Sequence, residues 1–252
     1  MPTIAKSAPM NWSHQHLDEA GSTNDWAMAW LKQHVVTHPL LVTTNHQTAG
    51  RGQRGKTWKG QRGQDLAMSL VVPLDASPLH PPSLNKAVAV VVRQALAGLD
   101  SSMENCLEIK WPNDVLINRN GQWAKVCGVL IENVWRGAEW THIVVGIGVN
   151  VNSTPDVDRA TSLKVVTGKE FDVTALAQTV TSGILDALQG GLNEASDYAN
   201  HLHGCKESRP FLIRGERQTG TFLGVNHEGL GEFQWGHARE TLPSTDVVWL
   251  WD

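Results

Sequence analysis

Cysteine is nearly absent from this chain. There are three in 252 residues, Cys106, Cys127 and Cys205, and no two of them form a CxxC pair. That count excludes a disulfide framework and a thiolate zinc site, and it suits a reducing cytoplasm. Long apolar runs are missing too. The longest, Ala87 to Val92, is six residues held between Lys86 and Arg93, far short of the roughly 20 needed to cross a bilayer. The opening residues, MPTIAKSAPMNWSHQ, lack the apolar core of a signal peptide. No charge of one sign dominates. A net charge of -4 gives no general pull toward nucleic acid or membrane, so any polyanion site has to be local. His14/His16 and His201/His203 are spaced by two with no third ligand close in sequence, which argues against a metal centre at either pair.

What is present is a core. A hydrophobic fraction of 41% excludes disorder and allows one large domain with a small one attached. Residues 1–20 read as a short lead-in. Ser22 and Thr23 then open a helix, with Asp25 in its first turn and Trp26/Trp30 and Ala27/Leu31 four residues apart. Leu40–Thr44 and Leu66–Val72 read as strands. Pro81-Pro82-Ser83 starts a long helix with Leu84, Val88, Val91, Ala95 and Leu99 on one face. Leu107–Trp111, Val115–Ile117, Trp123–Asn133 and Trp140–Val151 follow as strands, the middle two joined by a turn at Asn118–Gly121 and the last two through Arg136-Gly137. Asp172–Leu188 is an amphipathic helix. From Arg209 on, short β-like runs alternate with Gly, Asn and Pro turns, as in a small β-barrel or meander. The expected division is an α+β domain over 1–204 and a β domain over 205–252.

Four segments carry candidate chemistry. Gly50 to Gln64 is a glycine-rich loop with Arg51, Arg54, Lys56, Lys59 and Arg62 and no acid before Asp65. Glycines let backbone N–H groups approach an anion, and arginine grips phosphate or carboxylate. The spacing is not the P-loop GxxxxGK[ST], which disfavours a Walker-type NTPase. Lys110-Trp111-Pro112-Asn113-Asp114 sits at a strand end. Its lysine can pair with phosphate, and its Asn and Asp offer hard oxygen ligands. Lys125 opens an apolar strand, and simple alternation puts it on one face with Cys127 and Val129, opposite Val126, Gly128 and Leu130. Cys127 reads as a small core residue. Gly146-Ile147-Gly148-Val149-Asn150 lacks the third glycine of a dinucleotide fingerprint, so its glycines point to close approach by a ligand or backbone, or to a bulge. Trp58, Trp111 and Trp123 fall in or beside these segments, where an indole can stack on a flat ring.

In this order, Ser22-Thr23-Asn24, Gln47-Thr48-Ala49-Gly50-Arg51-Gly52, Lys110 to Asp114, Lys125 with Gly128 to Glu132, and Gly146 to Asn150 resemble the biotin–protein ligase family. The resemblance implies a class II synthetase-like α+β catalytic domain and a C-terminal SH3-like barrel. It implies that Ser22, Thr23, Asn24 and Gln47 line a biotin pocket. The loop of Gly50, Arg51, Gly52, Gln53, Arg54, Lys56 and Trp58 would fold over biotin and the adenylate phosphate. Lys125, Arg51 and Lys110 would be catalytic, with Lys125 at the reacting carboxylate and phosphate. Lys110, Asn113 and Asp114 would serve ATP and Mg2+, the last two as metal ligands, and Gly128, Gly146, Gly148 and Asn150 would lie by the ligands. The implied partner is a biotin carboxyl carrier protein. No membrane or specific DNA partner is expected, and a homodimer is left open. Two departures stand out. Gln53 occupies a position where the family usually has Arg, and the short stretch before Ser22 is expected to be too small for the DNA-binding module some members carry. A lipoate–protein ligase of the same fold and a non-catalytic biotin-binding module are the competing readings.

Overall fold

The computed structural model describes residues 11–74, 81–190 and 194–250. Seven strands form one sheet: β1 (Ser13–Leu17), β2 (Leu40–Thr44), β3 (Leu66–Pro73), β4 (Leu107–Lys110), β5 (Asp114–Arg119), β6 (Gln122–Arg136) and β7 (Glu139–Val149), in the order β1-β2-β3-β7-β6-β5-β4. β1 runs parallel to β2, and the remaining neighbours are antiparallel. Part of the expected lead-in is therefore an edge strand. Its side chains are mostly exposed, so the apolar pattern that marks a buried strand is missing from its sequence. Residues 1–10 of that lead-in lie outside the described residues.

Alternation along the central strands sorts side chains to two faces. Leu66, Met68, Leu70 and Val72 of β3 join Ile143, Val145, Ile147 and Val149 of β7 in the main core. Helices α2 (Pro81–Ala97) and α4 (Val173–Leu188) cover that face, contributing Leu84, Val88 and Val91, and Leu176, Val180 and Ile184. Asp172 caps α4 by accepting from the N–H groups of Thr174 and Ala175. The predicted α2 face holds up to Ala95, but the helix stops at Ala97, so Leu99 packs from beyond its end. On the opposite face, Val71 and Val144 meet Ala27 and Leu31 of α1 (Thr23–Gln33), which is capped by Ser22 accepting from the Asp25 N–H. Two short helices, α3 (Leu163–Thr167) and α5 (Glu194–Asn200), are additions to the sequence reading. At under two turns, neither has room for a clear periodic signal.

The chain ends in a five-stranded antiparallel sheet of β8 (Ser208–Ile213), β9 (Glu216–Val225), β10 (Gly231–Trp235), β11 (Ala238–Leu242) and β12 (Val247–Trp249), ordered β11-β10-β9-β8-β12. Its core of Phe211, Phe222 and Phe233 is continuous with Ala89 and Val90 of α2, Ile109 of β4, Trp111 and Tyr198. Packing thus runs across the chain position where the domain division was expected. Among the described residues no helix is long and apolar enough to cross a membrane.

Candidate active site

The α1 face of the sheet changes character toward the C-terminal end of β7. Val144 is followed on that face by Gly146 and Gly148, and Gly128 on β6 pairs with Gly148. A side chain at Gly146 would place its Cβ 2.3 Å from Asn24 Oδ1, and one at Gly148 would sit 2.3 Å from Cε2 of Trp58. These glycines are neither a bulge nor a backbone contact. The β7 register is unbroken there, and the space is taken by the Asn24 and Trp58 side chains. The result is a cavity of about 550 Å³. Every predicted site residue lines it except Gly50, which lies behind the loop, where a Cβ would meet the Trp58 carbonyl oxygen at 2.5 Å.

One end of the cavity is neutral and hydrogen-bonded. The Thr23 N–H donates to Gln47 Oε1 at 2.8 Å, and the Thr23 hydroxyl lies 3.2 Å from the same oxygen. Ser69, fully buried on β3, reaches Thr23 Oγ1 at 2.7 Å and Asn24 Oδ1 at 2.5 Å. The Asn24 amide nitrogen donates to the Leu130 carbonyl at 3.2 Å and to Glu132 Oε2 at 2.7 Å. Sequence reading missed Ser69, since one serine in an apolar strand carries no spacing signal. Glu132 was part of the motif but had no assigned role.

The other end is cationic, and a β-bulge builds it. Val115 pairs with Cys127, but the next residue, Leu116, pairs with Lys125, so Val126 is extra in β6. The expected face assignment is therefore corrected. The bulge turns Lys125 to the cavity side with Gly128 and leaves Cys127 in the core. Lys125 Nζ lies 2.7 Å from Asp114 Oδ1 and 5.5 Å from the Trp58 ring centre. Burial pushes the Lys110 ammonium below its usual range. Asp114 opposes that shift, while Lys125, Lys56 and Arg54 add to it. Three cations thus crowd Lys110, a setting suited to an anion. The buried Asn113 spends its amide nitrogen on the Val129 carbonyl. Burial also drives the Cys127 thiol far upward, which fits a core residue rather than a nucleophile.

Of the three candidate stacking tryptophans, Trp58 and Trp111 line the cavity and Trp123 does not. Trp58 stands in the cavity. Trp111 is 2% exposed, donates its indole N–H to the Gly229 carbonyl at 3.1 Å, and has Phe222 and Phe233 each 6.0 Å away, so it is a peg in the C-terminal core. Trp123 packs edge-on against His203 at 5.1 Å. The tight turn after Lys110 keeps Lys110 at the cavity while its neighbour Trp111 packs into the C-terminal core, which spacing alone does not reveal. Sequence reading also missed the wall formed by Pro155, Val157 to Ala160 and the β12 residues Val247 to Trp249. Lys125 explains how that segment is held: its N–H donates to the Arg159 carbonyl, and its own carbonyl accepts from Thr161.

Comparisons with known proteins agree with this architecture. The chain is 34% identical over 146 residues to the bifunctional ligase/repressor BirA of Bacillus subtilis, covering 56% of this chain and 43% of that protein. It is 38% identical over 115 residues to a biotin--[acetyl-CoA-carboxylase] ligase of Paracoccus denitrificans, covering 46% of this chain and 45% of that one. The chain thus spans about half the length of these relatives. Its fold matches that of a biotin protein ligase from Aquifex aeolicus in complex with biotin and ATP, with a TM-score of 0.73 and 23% identity over 94% of this chain and 97% of the other. The fold is therefore class II synthetase-like, with a C-terminal sheet of the SH3-like type. Residues 20–150 match the sequence profile of the biotin/lipoate A/B protein ligases, and that stretch holds the neutral floor, the basic loop, the bulged lysine and the glycine pair: the chain belongs to this family.

Proposed function

We propose that this protein activates biotin with ATP to biotinyl-5'-adenylate and transfers the biotinyl group to a lysine of a biotin carboxyl carrier protein. The observation that carries this reading is a single cavity with two chemically opposite ends. The neutral floor of Thr23, Asn24 and Gln47, backed by the buried Ser69, suits a small polar ring such as a ureido group. Trp58 supplies an apolar wall for the acyl chain, which leads toward Lys125. The relatives' names and the solved complexes with biotin, ATP and biotinyl-5-AMP support the same reading.

The chemistry demands this asymmetry. A biotin carboxylate oxygen attacks the α-phosphorus of ATP, the bond to the bridging oxygen breaks, and pyrophosphate leaves. Two anions meet in that step, so their repulsion has to be offset by fixed cations. Lys125 and Lys110 are placed for this, with Arg54 and Lys56 on the loop above. Mg2+ is the ion such chemistry implies, and when bound it would neutralise charge on the ATP phosphates. Magnesium needs only one or two protein carboxylates, and Asp114 fits that need. Asn113 holds the turn through its amide nitrogen. The basic loop excludes water from the mixed anhydride. An uncharged carrier lysine then attacks the acyl carbon, and AMP departs with the bridging oxygen. The three unpaired cysteines favour a reducing cytoplasm as the setting.

The test is biotin-dependent exchange of labelled pyrophosphate into ATP, followed by label transfer to an apo carrier domain. Exchange with biotin and not with lipoate is expected. Exchange with lipoate alone would make the lipoate reading correct, and stoichiometric biotin binding without exchange would make the protein a binding module.

A further inference from the structure

Arg51 belongs to the basic loop, yet its guanidinium does not join the cationic end. Its Nη2 amino group donates to both oxygens of Glu132, at 3.0 and 2.8 Å, and lies 2.7 Å from Asp25 Oδ1. Asp25 stands in the first turn of α1 and Glu132 on β6. Two elements of the core therefore grip one side chain of the loop. Two carboxylates around one guanidinium leave a local excess of negative charge, which repels a phosphate. Around Lys110, by contrast, Lys125, Lys56 and Arg54 all act as nearby cations. The contact also has a route inward. Glu132 Oε2 accepts from the Asn24 amide nitrogen at 2.7 Å, and the Asn24 oxygen meets the buried Ser69 beneath the floor.

We propose that Asp25 and Glu132 are positioning residues: through Arg51 they seat the basic loop over the cavity, and the Asn24–Glu132 hydrogen bond couples that seat to the cavity floor. Arg51 on this view is the loop's anchor, and the phosphate contacts belong to Arg54, Lys56, Lys110 and Lys125. An isolated surface pair would be too weak for this task. Here the Glu132 side chain is only 25% exposed, both of its oxygens are engaged, and a second carboxylate shares the cation. Asp25, 57% exposed, is the lesser partner.

The coupling to the floor rests on the biotin reading above, whereas the seating of the loop does not. The experiment separates the two. Glu132→Gln and Asp25→Asn remove one charge each and leave every loop base in place. In ligand-free protein, tryptic cleavage between Arg54 and Lys59 is expected to quicken about fivefold in Glu132→Gln, and less in Asp25→Asn. Biotin affinity is expected to weaken by a similar factor in Glu132→Gln, with the maximal rate of adenylate formation at saturating biotin kept within about twofold. An unchanged cleavage rate in both variants overturns the proposal. So does a fall in the maximal rate with cleavage and biotin affinity unchanged, because that pattern puts Arg51 on the phosphate. If the parent protein ignores biotin, the functional reading fails while the cleavage result still decides the anchor. Asp25→Asn, on an exposed helix turn, carries the test should Glu132→Gln fold poorly.

Discussion

The two ends of the cavity meet opposite physical demands with different means. The neutral end is built by burial: Thr23, Asn24 and Ser69 are nearly inaccessible, and their polar atoms are held by one another, by Gln47, and, for the Asn24 amide nitrogen, by the Leu130 carbonyl and Glu132. Such a network orients a ligand without charge, and it fails if one member is displaced, because a buried polar group is then left unpaired. The cationic end is built by concentration. Lys125 and Lys110 are held near each other and near Lys56 and Arg54, with Asp114 paired to Lys125 and Asp246 acting on Arg54. That arrangement is unfavourable until an anion arrives. The contrast teaches that geometry governs the first end and charge balance governs the second.

Removing charge should have the largest effect. Lys125→Ala is expected to slow adenylate formation roughly 10- to 150-fold, the worth of a charge-assisted hydrogen bond of about 1.5–3 kcal/mol made mainly in the transition state. Biotin affinity should change much less, which single-turnover kinetics beside a binding titration would separate. Equal losses in both would erase the distinction between the ends. Disturbing geometry comes next. Gly146→Ala places a methyl group against Asn24, and overpacking of this kind costs about 1–3 kcal/mol. Biotin binding should weaken roughly 5- to 150-fold by titration, with ATP affinity nearly unaffected. Wild-type biotin affinity in this variant would mean the floor is softer than the contacts imply.

The smallest effect is a shape rather than a size. Lys110 has its pKa lowered, first by burial and then by its cationic neighbours. For a lysine with a depressed folded pKa, the stability cost is fully present below that pKa and is removed as pH rises from it toward the ordinary lysine value of the unfolded chain. The same titration removes a cation from the phosphate end. The pH profile of kcat/KM for ATP should therefore fall on its alkaline side earlier than an ordinary lysine would dictate. Lys110→Arg, whose side chain does not titrate there, should push that fall to higher pH. An alkaline limb unmoved by Lys110→Arg would assign it to another group.

Much of this was readable along the chain. The capping serine and the Ala27/Leu31 spacing located α1, the alternation in Leu66–Val72 located β3, and the Arg136-Gly137 turn located the β6–β7 hairpin. These signals are local, so they survive without knowledge of contacts. The failures were of one kind. Alternation put Lys125 on the core face, because a bulge inserts a residue without any mark in the sequence. Trp111 lines the cavity as expected, but its anchoring in the C-terminal core was not legible, because a turn's neighbours look equivalent until their packing is known. Ser69, Asp25 and Glu132 were given no role, because each acts only through a residue distant in the chain.

By itself, then, the sequence determined the α+β layout, the glycine-rich basic loop, the order of the site segments and the family they resemble, since periodicity, caps and motif order are properties of neighbours along the chain. Tertiary structure alone decided which charges meet. It turned Lys125 toward Asp114 through a bulge, drove Trp111 into the C-terminal core, and gave Arg51 to Asp25 and Glu132. Those outcomes depend on distances across the fold, and electrostatic and packing energies follow such distances and not separation along the chain.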